Sequence, residues 1–329
     1  MKYSFFSLLF VLCGVFFWTN HASALTVSPV KMEIGGDPGQ ILTGDTYLVN
    51  EENHEMTYYS SFEKFDAQGE SGNPVFSPTT EGLATWMSIR PSITIQPHAR
   101  LTVPYRITIP KNAPPGGNFA AIFWNTVPPS NLDSTQVAIG AKVGILVLLR
   151  VSGDITEGGT LLSFGIENGQ TFFTTPPVGL WYRFNNNGED RVKPSGTITI
   201  KNTFGMKSAQ FNANPTDGNV LPGSIRRLTT AWNDKDAWGN DIQPPEQKNF
   251  GTLALYELKH FHLGRFSASL HLEYGTAGKT VDAKVSFFMI PWHALVIIIP
   301  ALIILMILGI ISIKRYNRWI IARANASRS

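Results

Sequence analysis

From Leu25 to about Ser152 the chain sets short apolar or β-branched runs between clusters of Gly, Pro and Asn. Runs of this length bounded by turn formers predict strands, and no credible amphipathic helix interrupts them. The expected strands are Leu25–Ile34, Ile41–Asn50, Thr57–Phe65, Ser92–Gln96, Arg100–Ile109, Asn118–Val127 and Ala141–Val151. In Arg100–Ile109, Leu101, Val103, Tyr105, Ile107 and Ile109 alternate with Arg100, Thr102, Arg106 and Thr108. That period of two gives one buried and one wet face, as in an antiparallel sandwich. Pro104 breaks the polar series, which suits an edge strand or a bulge. The run Val143–Val151 is almost continuously apolar and predicts a central strand. Short strands in this number make an immunoglobulin-like sandwich the expected fold.

A second stretch of the same kind runs from about Gly153 to Ile290. Its expected strands are Thr160–Glu167, Val178–Asn185, Ser195–Lys201, Ala209–Ala213, Ser224–Trp232, Phe266–Tyr274 and Thr280–Met289. Turn formers separate them at Asn187-Gly188, Asp217-Gly218, Pro222-Gly223 and Gly275–Gly278. Gly153, Gly158 and Gly159 mark a joint between the two stretches. The longest irregular segment is Asn233–Asn249, polar and proline-containing, the kind of long loop that often carries function. The expected fold class is therefore all-β: two tandem immunoglobulin-like sandwiches, 25–152 and 153–291, followed by one membrane helix.

That helix is predicted from twenty uncharged residues, Ala294–Ile313, of which fourteen are Ile, Leu or Val. At about 1.5 Å per residue they reach about 30 Å, the hydrocarbon thickness of a bilayer. Each of the fourteen favours insertion by about 0.3–0.6 kcal/mol, enough to absorb Pro300, Gly309 and Ser312. Trp292 and Trp319 flank the segment at interfacial depth, giving an expected span of 292–313. The tail 314–329 carries Lys314, Arg315, Arg318, Arg323 and Arg328 and no acid, so the positive-inside rule puts it in the cytoplasm. At the other end Lys2, the apolar run Phe5–Trp18 and Ala22-Ser23-Ala24 read as a signal peptide, 1–24, cleaved before Leu25. Cys13, the only cysteine, lies within it, so the mature chain is expected to hold neither a disulfide nor a cysteine nucleophile.

The overall charge of +3 hides an asymmetry. Without Lys2 and the five tail cations, 21 basic residues face all 24 acids in residues 25–291, a net of −3. Such a domain pair has no basic field for nucleic acid. Catalytic patterns are missing as well. His54-Glu55 lacks the second histidine of H-E-x-x-H, because position 58 is Tyr; Gly275–Thr280 resembles a phosphate loop but has the wrong spacing and strand flanks. Two weaker constellations remain. On a strand, His260 and His262 would share a face that His271 could join, although a zinc site needs further ligands and a supporting shell. Asp234, Asp236 and Asp241 gather hard oxygens in one loop, as calcium requires, but Trp238 and Pro245 stand where the EF-hand pattern needs ligands; an Asp/Asn-rich turn is the plainer reading. Trp238, in the polar loop, is the tryptophan expected to be exposed and able to stack on a sugar or partner, whereas Trp124 and Trp181 are expected in the core. No catalytic residue, cofactor or metal is assigned.

The plan of signal peptide, two immunoglobulin-like domains, one C-terminal span and basic tail resembles the WxL-interacting proteins of Gram-positive cell surfaces. Leu25-Thr-Val-Ser-Pro29, Pro38-Gly39-Gln40 with Asn50, and Pro115-Gly116-Gly117-Asn118-Phe-Ala-Ala-Ile122 are similar to that family's first domain. The last of these is also similar to the periplasmic pilus-chaperone fold. In the second domain, Leu221-Pro222-Gly223-Ser224 and His262-Leu263-Gly264-Arg265-Phe266 carry the likeness. The family implies a first domain that binds peptidoglycan and a second that binds surface proteins, but the Asn-Gln usual after the opening strand is replaced here by Lys31-Met-Glu-Ile-Gly-Gly36. The expectation is a non-enzymatic, membrane-anchored surface protein of the bacterial cytoplasmic membrane, binding cell wall or a partner protein. The alternative is a chaperone-like or assembly subunit that engages an exported partner by β-strand addition at an open edge of the first domain.

Overall fold

A computed structural model describes residues 25–128, 141–246 and 249–326, with side chains through Ile320. The expected signal peptide and Cys13 lie outside these residues, as does Arg328 of the tail. Among the described residues the fold is all-β apart from two short helical turns, Leu83–Trp86 and Glu167–Gly169, and two helices, and the chain divides into two compact units. One comprises residues up to 67 with 74–156; the other comprises 68–73 with everything from 157 onward.

In the first unit the strands are β1 (Leu25–Ser28), β2 (Lys31–Gly36), β3 (Ile41–Asn50), β4 (Met56–Gln68), β5 (Asn73–Ser77), β6 (Met87–Ile89), β7 (Ser92–Ile95), β8 (Arg100–Thr108), β9 (Gly116–Asn125) and β10 (Lys142–Val151). A single helical turn, α1 (Leu83–Trp86), precedes β6. One sheet has the order β1-β3-β8-β6; the other has β2-β10-β9-β4-β5, with β7 also on β4. The expected strand Leu25–Ile34 is thus two strands in opposite sheets. Pro29 cannot donate to a ladder, and the chain changes sheets there. Pro104 sits in an inner strand, but β6 covers only Tyr105–Ile107 on that side, so the missing N–H falls one residue outside the pairing. The continuous apolar run became β10, bonded on both sides, parallel to β2 and antiparallel to β9. Leu48, Ile107, Ile109, Ile122, Trp124, Ile145 and Leu149, all buried, fill the space between the sheets.

The second unit adds β11 (Thr160–Ile166), β12 (Phe172–Phe173), β13 (Val178–Asn185), β14 (Ser195–Lys201), β15 (Lys207–Asn212), β16 (Ile225–Trp232), β17 (Gly264–Tyr274) and β18 (Lys279–Met289). Three of them form the sheet β11-β13-β16; the other five form β12-β18-β17-β14-β15. Along β13, Val178, Leu180, Tyr182 and Phe184 are buried, so Trp181, on the opposite parity, faces outward. Its indole donates to the Ile166 carbonyl at 3.0 Å and carries the Arg227 guanidinium 4.7 Å above its ring. The expectation of a core Trp181 is corrected; Trp124 is fully buried.

Three buried asparagines close loops in the same way. Asn50 donates to the carbonyls of His54 and Ile95 at 2.8 and 3.0 Å, Asn186 to those of Asp190 and Val220, and Asn214 to those of Pro194 and Gly218. Each also accepts a backbone N–H a few residues on, from Glu52, Gly188 and Gly218 respectively. A carboxamide has two donors and an acceptor in one plane, so it replaces a turn's missing backbone partners where water cannot enter.

Two helices complete the chain, α2 (Phe250–Lys259) and α3 (Trp292–Ala326). The Asn249 side chain caps α2 by accepting the Thr252 N–H at 2.9 Å. The stretch Trp292–Ile320 of α3 is long and apolar enough to cross a membrane. It continues well past the expected end at Ile313, and the helix contains Pro300.

Candidate functional site

The second sandwich is open along one side, and Asp234 and Asp241, two of the residues singled out above, line one end of that opening. β15 ends one sheet and β16 ends the other, and each is paired on one side only. Between them lies a groove of about 640 Å³, floored by Ala209, Phe211, Ala231 and Trp232 and rimmed by Gln210, Asn212 and Thr230.

The hydrogen-bonding groups of both strands aim into this groove. The Asn212 carbonyl accepts the Thr230 hydroxyl at 3.4 Å from across the opening, whereas the next N–H, of Ala213, turns the other way to Gly196. Strand backbone groups alternate sides every residue, so Gln210 shares the outward direction of Asn212. On β16 the Arg227 N–H points outward, to the Glu70 carbonyl at 2.7 Å. By the same alternation the N–H and C=O groups of Thr229 and Ala231 face outward too. Two rows of outward-facing main-chain groups, of Gln210 and Asn212 on β15 and of Thr229 and Ala231 on β16, therefore border one apolar floor, which is the arrangement an extended chain needs in order to pair.

One end is closed by the loop that follows β16. The expected irregular segment contains a tight antiparallel bend: Lys235 bridges Asp241, the Asp236 N–H reaches the Asn240 carbonyl at 2.9 Å, and Ile242 returns to the Asp234 carbonyl at 2.9 Å. The three aspartates point to different partners. Asp236 accepts the N–H groups of Trp238 and Asn240, both at 2.8 Å. Asp241 pairs with the Lys235 ammonium and accepts from the Asn233 amide at 2.8 Å. Asp234 lies between two imidazoles, its Oδ2 3.3 Å from Nδ1 of His260 and its Oδ1 3.0 Å from Nε2 of His262. Among the described residues no group of three ligating side chains is arranged to hold a metal ion. Trp238 stands at the tip of the bend, 89% exposed.

His260 and His262 do not lie on a strand as the sequence suggested. His260 caps the end of α2, and His262 precedes β17, where its ring meets Trp232 edge-on at 5.1 Å. His271 is elsewhere on β17, bonded across the ladder to Asp282 at 2.7 Å. The convergence of the two histidines on Asp234 is tertiary, and no spacing along the chain announces it. Helix α2 escaped notice for a different reason. Its outward positions carry Leu255 and Leu258 while its buried positions carry Ala254 and Glu257, the reverse of an ordinary amphipathic pattern.

The Asn240 amide, then backbone N–H groups, hold the Asp236 carboxyl below its ordinary 3.8, and Lys235 with Asn233 does the same for Asp241. A depressed carboxylate contributes order that is complete above its unfolded value and lost as pH falls through its folded one. The bend is therefore expected to stay intact from neutral pH down to about pH 4 and to open below that. Acrylamide quenching of Trp238, isolated by difference from Trp238→Phe, reads this; a change centred near pH 6 would contradict it.

No family model matches the sequence, and no curated protein does. Among solved structures, similar ones include the class 5 fimbriae chaperone CfaA (10% identity, TM-score 0.36, covering 82% of this chain and all of that one). Another is a complex of Salmonella enterica SafA pilin with the SafB chaperone (9%, TM-score 0.36, 82% and 99%). The E. coli chaperone DraB is a third (11%, TM-score 0.34, 80% and 99%).

Proposed function

We propose that this is a non-enzymatic, single-pass membrane protein whose ectodomain, displayed outside the bacterial cytoplasmic membrane, captures an extended segment of an exported partner. The observation that carries the reading is the pair of unpaired edges, β15 and β16, bordering one apolar-floored groove. An added strand would satisfy main-chain groups of Gln210 and Asn212 or of Thr229 and Ala231. Alternate side chains would drop toward Phe211 and Trp232, giving affinity from the backbone and selectivity from the floor. In this reading the strand is added to the second sandwich, whereas the sequence suggested the first. The apolar part of the helix Trp292–Ile320 supplies the anchor, and the cations from Lys314 onward, at its end and beyond it, set the C-terminus inside. The resemblance of the sequence plan to WxL-interacting proteins fits the same reading.

A photoreactive amino acid at Gln210, irradiated in native membranes, should join the protein to one exported partner. The same probe at Lys284, on the doubly paired strand β18, should not. Equal labelling from both positions would count against the groove. Quantitative sedimentation of the solubilised protein with peptidoglycan sacculi would assign the ligand to the cell wall and overturn strand addition.

A further inference from the structure

The helix α2 is inside-out for a protein surrounded by water. Its Leu255 is 61% exposed and Leu258 40%, while Glu257 is 1% exposed. A buried carboxylate needs strong partners, and Glu257 finds them on the first turn of α3. Its Oε1 is 2.6 Å from Nδ1 of His293, and its Oε2 accepts the Ala294 N–H at 2.8 Å. That N–H is one of the orphan donors at a helix start, where negative charge is also favoured by the helix dipole. The pairing ties α2 to the first turn of the apolar helix. The apolar surface also extends beyond α2. Phe261 is 43% exposed, Leu263 50%, Ile290 38% and Trp292 49%. Leu263 and Ile290 flank the last pair of the β17–β18 ladder, Gly264 with Met289, at the end where α3 begins.

We propose that α2 and the residues around it form an interfacial collar that seats the second sandwich in the headgroup–acyl boundary of a phospholipid bilayer. The inference rests on the reading of α3 as a membrane span. If α3 crosses the bilayer, whatever is bonded to its first turn lies at interfacial depth, where Trp292 also belongs. In that medium leucines outward and a paired glutamate inward are the proper sense of the pattern. Lys259, at the end of α2, can extend its ammonium to the headgroups.

The test uses the full chain with Cys13→Ala, carrying single cysteines at Leu255, Ile303 or Gln210, each labelled with an environment-sensitive fluorophore. The variants are reconstituted at low density in phosphatidylcholine–phosphatidylglycerol vesicles. The Leu255→Cys probe should emit to the blue of the Gln210→Cys probe and lose about half its intensity to a shallow doxyl lipid. The Ile303→Cys probe should respond to a deep one. Quenching at Ile303 with a water-like probe at Leu255 overturns the collar and leaves the anchor standing. Probes water-like at both positions overturn the anchor and the collar with it. A blue shift at Leu255 that grows with protein density and ignores the doxyl lipid assigns the face to a second copy of the chain, which also overturns the proposal.

Discussion

Trp232→Ala is expected to cost the second sandwich about 3–5 kcal/mol, the range for deleting a large aromatic from a packed core. Trp232 is 2% exposed and meets Phe266 and Phe287 at ring separations of 5.5 and 6.1 Å, with His262 edge-on at 5.1 Å. It is also the last residue of β16 and part of the groove floor. The void left by alanine lies where the sandwich is already open. Water can enter it, and the His262 ring loses the surface that holds it against Asp234. Thermal unfolding followed by circular dichroism should show a fall on the order of 10 °C for a domain of this size. Partner cross-linking from Gln210 should weaken with it. Trp232→Phe, which keeps an aromatic ring against Phe266, should recover most of both. A shift within a degree or two for the alanine variant would show that Trp232 is not part of the core.

The second large effect is expected at Asn50, which is fully buried in the first unit. Its amide serves the carbonyls of His54, Ile95 and Gln96, and its oxygen accepts from the Glu52 N–H and the Tyr58 hydroxyl, the latter at 3.1 Å. Alanine leaves several of these groups without partners in a place water does not reach, each costing about 1–3 kcal/mol. The total loss should be about 3 kcal/mol or more, read as a lower denaturant midpoint for the first unit. Asn50→Asp is the informative companion. It keeps the acceptor but turns an oxygen toward three carbonyl oxygens, so it should be no better than alanine above pH 5. Rescue by aspartate at neutral pH would mean that only the acceptor matters and would contradict the hydrogen-bond account.

Strands whose own residues decide their fate were legible from composition and spacing. Val178–Asn185 and Ser195–Lys201 run between turn formers and came out with the expected bounds, as did Ile41–Asn50. Short partners were not legible: Asn73–Ser77, Met87–Ile89 and Phe172–Phe173 are too brief to show a period and exist because a longer strand lies beside them. Helix α2 was hidden because its outward positions carry Leu255 and Leu258 and its buried ones Ala254 and Glu257, so no apolar stripe at helical spacing marks its packed face. The segment that holds Asp234, Asp236, Trp238 and Asp241 was legible as a polar, irregular loop with Trp238 exposed. Their partners were not, because His260 and His262 arrive from another element. The groove itself belongs to no residue run; it arises because β15 and β16 end different sheets.

The two bonds from Glu257 to consecutive residues of α3 also set a direction. One tether would let the sandwich swivel about the helix axis, but two, at His293 and Ala294, define an azimuth. The mouth of the β15–β16 groove therefore keeps a constant bearing around the axis of α3. If α3 spans the bilayer as proposed, whatever face of it met a neighbouring helix would decide from which compass point the groove could be reached.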